Sequence, residues 1–211
     1  GNRKPSGKWP AGPASRNPVR HDSVYADAMP LPENRNPVLT GLPPVYGDSA
    51  RVLVLGSMPG AKSLQAQAYY AHPRNAFWPI MGQLFGFSPT LAYAKRLERL
   101  RGNSVALWDV IGRCRRRGSL DQKVEPGSIV ANDFGRLFRT CPRIRLVVFN
   151  GRLAEQSFER HVRPALPPSL ARIASLRLPS TSPAHAAMSF EQKFDAWRVA
   201  LAPILAAQPD K

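Results

Sequence analysis

The chain has 211 residues, enough for one domain with a sizeable core, and its 30 Lys and Arg against 14 Asp and Glu leave a net charge of +16 and a pI near 11.0. That excess points to a polyanionic partner, with nucleic acid first in line. No apolar run approaches the roughly 20 residues of a membrane span, and the polar, Pro-rich opening has no secretory h-region. Two cysteines, Cys114 and Cys141, argue against a disulfide framework, a Cys-based zinc site or an iron–sulfur cluster, and a reducing cytoplasm is expected.

Residues 1–38 carry seven prolines (Pro5, Pro10, Pro13, Pro18, Pro30, Pro32 and Pro37) with scattered basic residues, which reads as a disordered basic tail. Its Lys4, Lys8, Arg16 and Arg20 either touch phosphates loosely or are inert. The folded domain is expected over residues 39–211, entered through an extended segment with Pro43-Pro44. A β-branched run at 52–55 then breaks at Gly56-Ser57-Met58-Pro59-Gly60, the pattern of a buried parallel strand ending in a tight loop. The next cluster, Tyr69-Tyr70-Ala71-His72-Pro73-Arg74-Asn75-Ala76-Phe77-Trp78, crowds aromatics, a carboxamide and a guanidinium into ten residues. Such crowding suits a flat ligand with polar edges.

Helices are expected over 75–85 and over 90–101, the second with Leu91, Leu97 and Leu100 on its apolar side. A second strand over 104–108 ends at Asp109. A basic loop, Arg113-Cys114-Arg115-Arg116-Arg117-Gly118, comes after Gly112. Asn132 or Asp133 is the expected cap of a helix reaching Thr140. A third strand over 144–149 stops at Asn150-Gly151, and a helix with Leu153 and Phe158 follows. A fourth strand over 175–178 ends in Pro179-Ser180-Thr181-Ser182-Pro183-Ala184-His185. Ser189-Phe190-Glu191-Gln192 reads as a capping box opening a last helix, with Phe190, Phe194, Trp197 and Leu201 on one face and Pro203 kinking or fraying its end.

Alternating strand and helix patterns predict an α/β domain, a three-layer α/β/α sandwich around a mainly parallel four-stranded sheet. Right-handed crossovers bring the loops at Gly56-Ser57, Asp109, Asn150 and Ser182 to His185 to the carboxyl edge of the sheet, where such sheets bind ligands. A Rossmann-type nucleotide site is disfavoured, because no G-x-G-x-x-G follows the first strand.

Four segments taken together, Gly56-Ser57-Met58-Pro59-Gly60, Ala71 to Trp78, Val148-Phe149-Asn150-Gly151 and Leu178 to Ala184, resemble the uracil-DNA glycosylase superfamily over residues 42–201. Met58 in the first loop, Asn75 in an HPxN motif, Leu107-Trp108-Asp109-Val110 and Gly118-Ser119-Leu120-Asp121 are most similar to its hypoxanthine-DNA glycosylases. The resemblance implies a monofunctional DNA glycosylase of base-excision repair that removes hypoxanthine, and uracil secondarily, without metal or organic cofactor. The partner is DNA with deaminated bases rather than a membrane. A monomer in a bacterial cytoplasm is expected. A uracil- or mismatch-specific enzyme and a catalytically inactive DNA-binding module are the alternatives.

N-glycosidic hydrolysis passes through an oxocarbenium-like sugar as the base departs with negative charge, and the nucleotide must first be flipped out and held. Asn75 orients the water, a role that the resemblance also implies, although the residue alone reads as an ordinary helix cap. Phe77 supplies a stacking face, Asn150 offers a donor and an acceptor to the base edge, and the amides of Gly56, Ser57 and Met58 meet a carbonyl or the leaving anion. Met58 also fills the pocket wall. Tyr69 and Tyr70 either line the base pocket or buttress the loop. Asp109 is expected to bond loop amides, and His72 to be structural. Ser182, Pro183, Ala184 and His185 resemble the loop that grips phosphates and wedges the duplex. Arg74, Arg113, Arg115, Arg116 and Arg117 are candidate phosphate neutralisers. No lysine is evidently placed for Schiff-base chemistry.

Overall fold

The computed structural model describes residues 36–118 and 123–206, without the side chains of 203–206. The expected tail therefore falls outside the described residues up to position 35. Its last three positions, 36–38, do not belong to a tail, because Val38 opens a strand and pairs with Arg115.

In chain order the elements are β1 (Val38–Thr40), β2 (Val52–Gly56), α1 (Ala61–Ala66), α2 (Phe77–Phe85), α3 (Tyr93–Gly102), β3 (Val105–Asp109), β4 (Ile111–Arg115), β5 (Val130–Ala131), α4 (Phe134–Thr140), β6 (Leu146–Asn150), α5 (Arg152–His161), α6 (Pro168–Ala171), β7 (Ala174–Leu178) and α7 (Phe190–Ala206). β2 and β3 are buried along their whole length, as befits strands covered on both faces. They form with β6 and β7 a parallel sheet in the order β3-β2-β6-β7, flanked by helices as the alternation predicted. Register places Gly56 beside Asp109, Leu55 beside Phe149, and Asn150 beside Leu178. All four strand ends therefore open onto one rim.

Differences from the expected elements have local causes. α2 starts two residues late because Asn75 is spent outside the helix, its Oδ1 accepting from the Phe77 N–H at 3.0 Å. α3 starts at Tyr93, after the Pro89-Thr90 turn, so only Leu97 and Leu100 of the three expected leucines are helical. Asp133, not Asn132, caps α4, accepting from the Arg136 N–H at 2.8 Å. The capping box of α7 forms in both directions between Ser189 and Gln192, and the helix runs past Pro203 to Ala206.

A second, antiparallel sheet, β1-β4-β5, was not foreseen. The first half of the segment read as a basic loop, Arg113 to Arg115, is the end of β4, and a bulge between Ile111 and Arg113 breaks the two-residue period by which a strand is recognised. Between the sheets, Met58, Ile111, Cys114 and Val124 form a small apolar cluster, separate from the main core around β2, β3 and β6. α7 closes the main core with the fully buried Trp197, edge-on to Phe77 at 6.1 Å and donating from Nε1 to the Pro179 carbonyl at 3.1 Å. Truncating it to Ala would cost about 3–5 kcal/mol and release the loop after β7.

Candidate active site

Two of the four expected loops, those at Asn150 and after β7, are tied to each other and to the start of α2 by one residue. Thr181, 1% exposed, donates its N–H to Asn150 Oδ1 at 2.9 Å. Its Oγ1 accepts from Asn150 Nδ2 at 2.8 Å, and its carbonyl accepts from the Ala76 N–H at 3.0 Å. The end of β6, the loop after β7 and the start of α2 thus meet, with Asn75 and Asn150 on the same rim. The Asn150 carboxamide is half engaged. One N–H and one lone pair go to Thr181, and one of each remains on a residue that is 9% exposed. Thr181 was overlooked because a threonine between two serines carries no distinctive chemistry in sequence.

Asn75 stands just before Ala76, the residue at the cap position of α2. Its N–H donates to the His72 carbonyl at 2.8 Å, and the Oδ1 contact with Phe77 N–H points the amide oxygen toward the start of α2. Oδ1 retains a second lone pair. His72 is structural as expected, its Nδ1 accepting from the Arg74 N–H at 3.1 Å, while the Arg74 side chain is exposed.

The aromatic assignment changes. Phe77 is fully buried, lying edge-on to Trp78 and Trp197, and its face is covered by Tyr70 with ring centroids 4.0 Å apart and planes 28° from parallel. Phe77 is therefore not an open stacking plate in this structure. Tyr70 occupies that place, held there by a left-handed backbone at φ 54°. Tyr69 is the buttress of the pair. Its N–H donates to Tyr93 Oη at 3.0 Å, and its own hydroxyl reaches the Leu42 and Pro43 carbonyls. Burial, with a smaller contribution from Asp109, pushes the Tyr69 phenol far above its ordinary value.

Asp109 stands at the rim where β2 and β3 end, as the register partner of Gly56. It is 3% exposed and sits where a side chain on Gly56 would stand, since a Cβ there would lie 2.2 Å from Asp109 Oδ1 and 3.3 Å from Tyr70 Oη. Gly56, Asp109 and Tyr70 converge at the end of β2. The signal in the sequence was the acid at a strand end beside a glycine-terminated strand. The Gly56 and Ser57 carbonyls accept from Val110 and Ile111 at 2.9 Å each, which clasps the first loop. Met58 turns into the small cluster with Ile111, Cys114 and Val124, so its side chain belongs to core and not to an open pocket wall.

The basic residues divide. Arg116 is not a phosphate ligand. It is fully buried, and its guanidinium donates to the Pro59 and Gly118 carbonyls, propping the first loop from below. Arg115 is half-buried with Nη1 on the Asn36 carbonyl at 3.1 Å. Arg113 and Arg117 are exposed. In the loop after β7, Ser182 Oγ accepts from the Ala184 N–H and its carbonyl from the His185 N–H, a compact turn with Ala184 exposed and Pro183 and His185 half-buried. Lys193, buried on α7, donates from Nζ to the His185 carbonyl at 2.7 Å, and burial lowers its pKa. Among the described residues no group of His, Cys, Asp and Glu could hold a metal ion, and no helix is long and apolar enough to cross a membrane.

An open parallel sheet with its polar groups gathered outside the strand ends is an α/β enzyme architecture. Residues 43–206 match the model of the uracil DNA glycosylase superfamily. Two relatives named hypoxanthine DNA glycosylase, from Methanosarcina barkeri and Methanosarcina acetivorans, are 39% and 40% identical over 113 and 115 residues, which is 53% and 54% of this chain and 70% and 72% of theirs. The solution NMR structure of a Methanosarcina acetivorans protein described as a candidate uracil DNA glycosylase superposes with a TM-score of 0.66 at 33% identity, over 80% of this chain and 99% of that one. The chain belongs to the uracil DNA glycosylase superfamily. It is a DNA glycosylase.

Proposed function

We propose that the enzyme removes hypoxanthine from deoxyinosine in DNA, and uracil more slowly, by hydrolysis that stops at the abasic site. The observation that carries this reading is the Thr181 cross-link, which sets the Asn75 and Asn150 carboxamides on one rim beside Tyr70. The names of the two Methanosarcina relatives support the choice of base.

In this reading the flipped base enters at the strand ends and lies against Tyr70, backed by Phe77, where ring stacking is tolerant of base identity. The remaining N–H and lone pair of Asn150 meet the adjacent C=O and N–H that hypoxanthine and uracil share. The free lone pair of Asn75 Oδ1 orients the water. An amide is a poor base, which suffices when the sugar is already cationic. The loop from Ser182 to His185, held by Lys193, faces the duplex, and exposed Arg74 neutralises phosphate. The two buried cysteines, neither in a disulfide, suit a reducing bacterial cytoplasm, and we assign a monomer.

The test is release of base from duplexes carrying a single deoxyinosine, deoxyuridine or deoxyxanthosine, with alkaline cleavage reporting abasic sites. Deoxyinosine is expected to be processed fastest. Release of uracil with none of hypoxanthine would overturn the reading in favour of a uracil-specific enzyme.

A further inference from the structure

The structure assigns Thr181 as a positioning residue of the reaction, one that acts by fixing the Asn150 carboxamide. The inference rests on the function proposed above.

A primary amide can turn end over end with little change in shape, so its orientation has to be imposed by its neighbours. Thr181 imposes it from two sides. The Thr181 N–H can only donate and therefore requires the amide oxygen, and it meets Oδ1 at 2.9 Å. Oγ1 then receives Nδ2 at 2.8 Å. An inverted amide would set two donors against each other at the N–H, in a place where both residues are buried and an unmet polar group is costly. The same residue is held in place by its carbonyl on the Ala76 N–H at 3.0 Å, next to Asn75. The spacing of the two carboxamides is thus set through a single buried threonine.

Thr181→Val keeps the shape and removes the acceptor, while Thr181→Ser keeps the acceptor. Single-turnover release of hypoxanthine should fall about 10- to 100-fold in Thr181→Val, the scale expected when a reacting group is misplaced by about 1 Å. Duplex affinity should stay within about twofold, because Thr181 touches Asn150 and not phosphate. Thr181→Ser should recover most of the lost rate. In an Asn150→Ala background the valine substitution should have no further effect, since a residue acting through Asn150 has nothing left to act on. In the NMR spectrum, the Asn150 side-chain amide protons should shift upfield in Thr181→Val and remain in place in Thr181→Ser.

A Thr181→Val protein as fast as the unaltered enzyme, or equally impaired with and without Asn150, overturns the positioning role and leaves the proposed function standing. An unaltered protein inert on every lesion overturns both.

Discussion

Gly56→Ala is the sharpest test of how the rim is built. A Cβ at this position would lie 2.2 Å from Asp109 Oδ1 and 3.3 Å from Tyr70 Oη, whereas non-bonded heavy atoms settle at about 3.5 Å, so something must move by about 1 Å. The main chain has little freedom to do so. Gly56 and Asp109 are register partners in adjacent parallel strands, the Asp109 carbonyl is held by Asn132 Nδ2 at 2.8 Å, and the Val110 and Ile111 N–H groups bind the Gly56 and Ser57 carbonyls. The carboxylate itself must turn, in a site where it is 3% exposed. Overpacking of this kind costs about 1–3 kcal/mol, and at about 2–4 °C per kcal/mol for a domain of this size the melting temperature should drop by roughly 2–12 °C. Urea denaturation followed by circular dichroism would measure it, with Asp109→Ala as the second arm of a double-mutant cycle. Shortening Asp109 clears the space, so Gly56→Ala should cost much less in that background. If Gly56→Ala stays within about 0.5 kcal/mol of the parent, the level of ordinary surface changes, or if Asp109→Ala gives no relief, the close approach of carboxylate to strand end is refuted.

Four other outcomes can be checked. Asn75→Ala should reduce deoxyinosine turnover by about 100-fold or more, as loss of one positioning group does, and lower stability by about 1 kcal/mol through the lost Oδ1 contact with the Phe77 N–H, with duplex affinity retained; unchanged turnover would remove Asn75 from the reaction. Tyr70→Ala uncovers Phe77 and removes the stacking ring, so kcat/KM should fall about tenfold or more, and a fully active variant would show that the base rests elsewhere. Arg74→Ala should reduce the slope of log affinity against log salt by about 0.9 with no loss of stability, whereas Arg116→Ala should leave the slope alone and destabilise by about 1–3 kcal/mol through the stranded Pro59 carbonyl; the reverse pattern in salt titrations and melts would refute the division made between them. Burial holds the Tyr69 phenol protonated well above its ordinary value near 10, so its contribution to stability is complete below that pH and is lost as the pH rises and only the unfolded chain ionises. Urea melts from pH 8.5 to 11 should show this fall and a shallower one in Tyr69→Phe, and equal slopes would contradict it.

The sequence by itself determined the parallel sheet and its working edge. Val52-Leu53-Val54-Leu55 and Leu146 to Phe149 are β-branched or apolar throughout, which only strands covered on both faces require. Strand ends in register then bring Gly56, Asp109 and Asn150 to one side, whatever the details of packing. The antiparallel sheet was hidden, because the bulge in β4 and its arginines mask the alternation on which strand recognition depends. Tertiary structure alone decided what each polar or aromatic group at the rim does. Composition counts Arg113, Arg115, Arg116 and Arg117 alike, yet burial makes Arg116 a strut under the first loop. Adjacency leaves Tyr69 and Tyr70 equivalent, yet a left-handed backbone at Tyr70 alone lays its ring on Phe77. Nothing local marks Thr181, whose partners Asn150 and Ala76 are 31 and 105 residues away in the chain. Side-chain periodicity is a local property and survives translation into sequence, whereas hydrogen bonds across such separations exist only once the chain has folded.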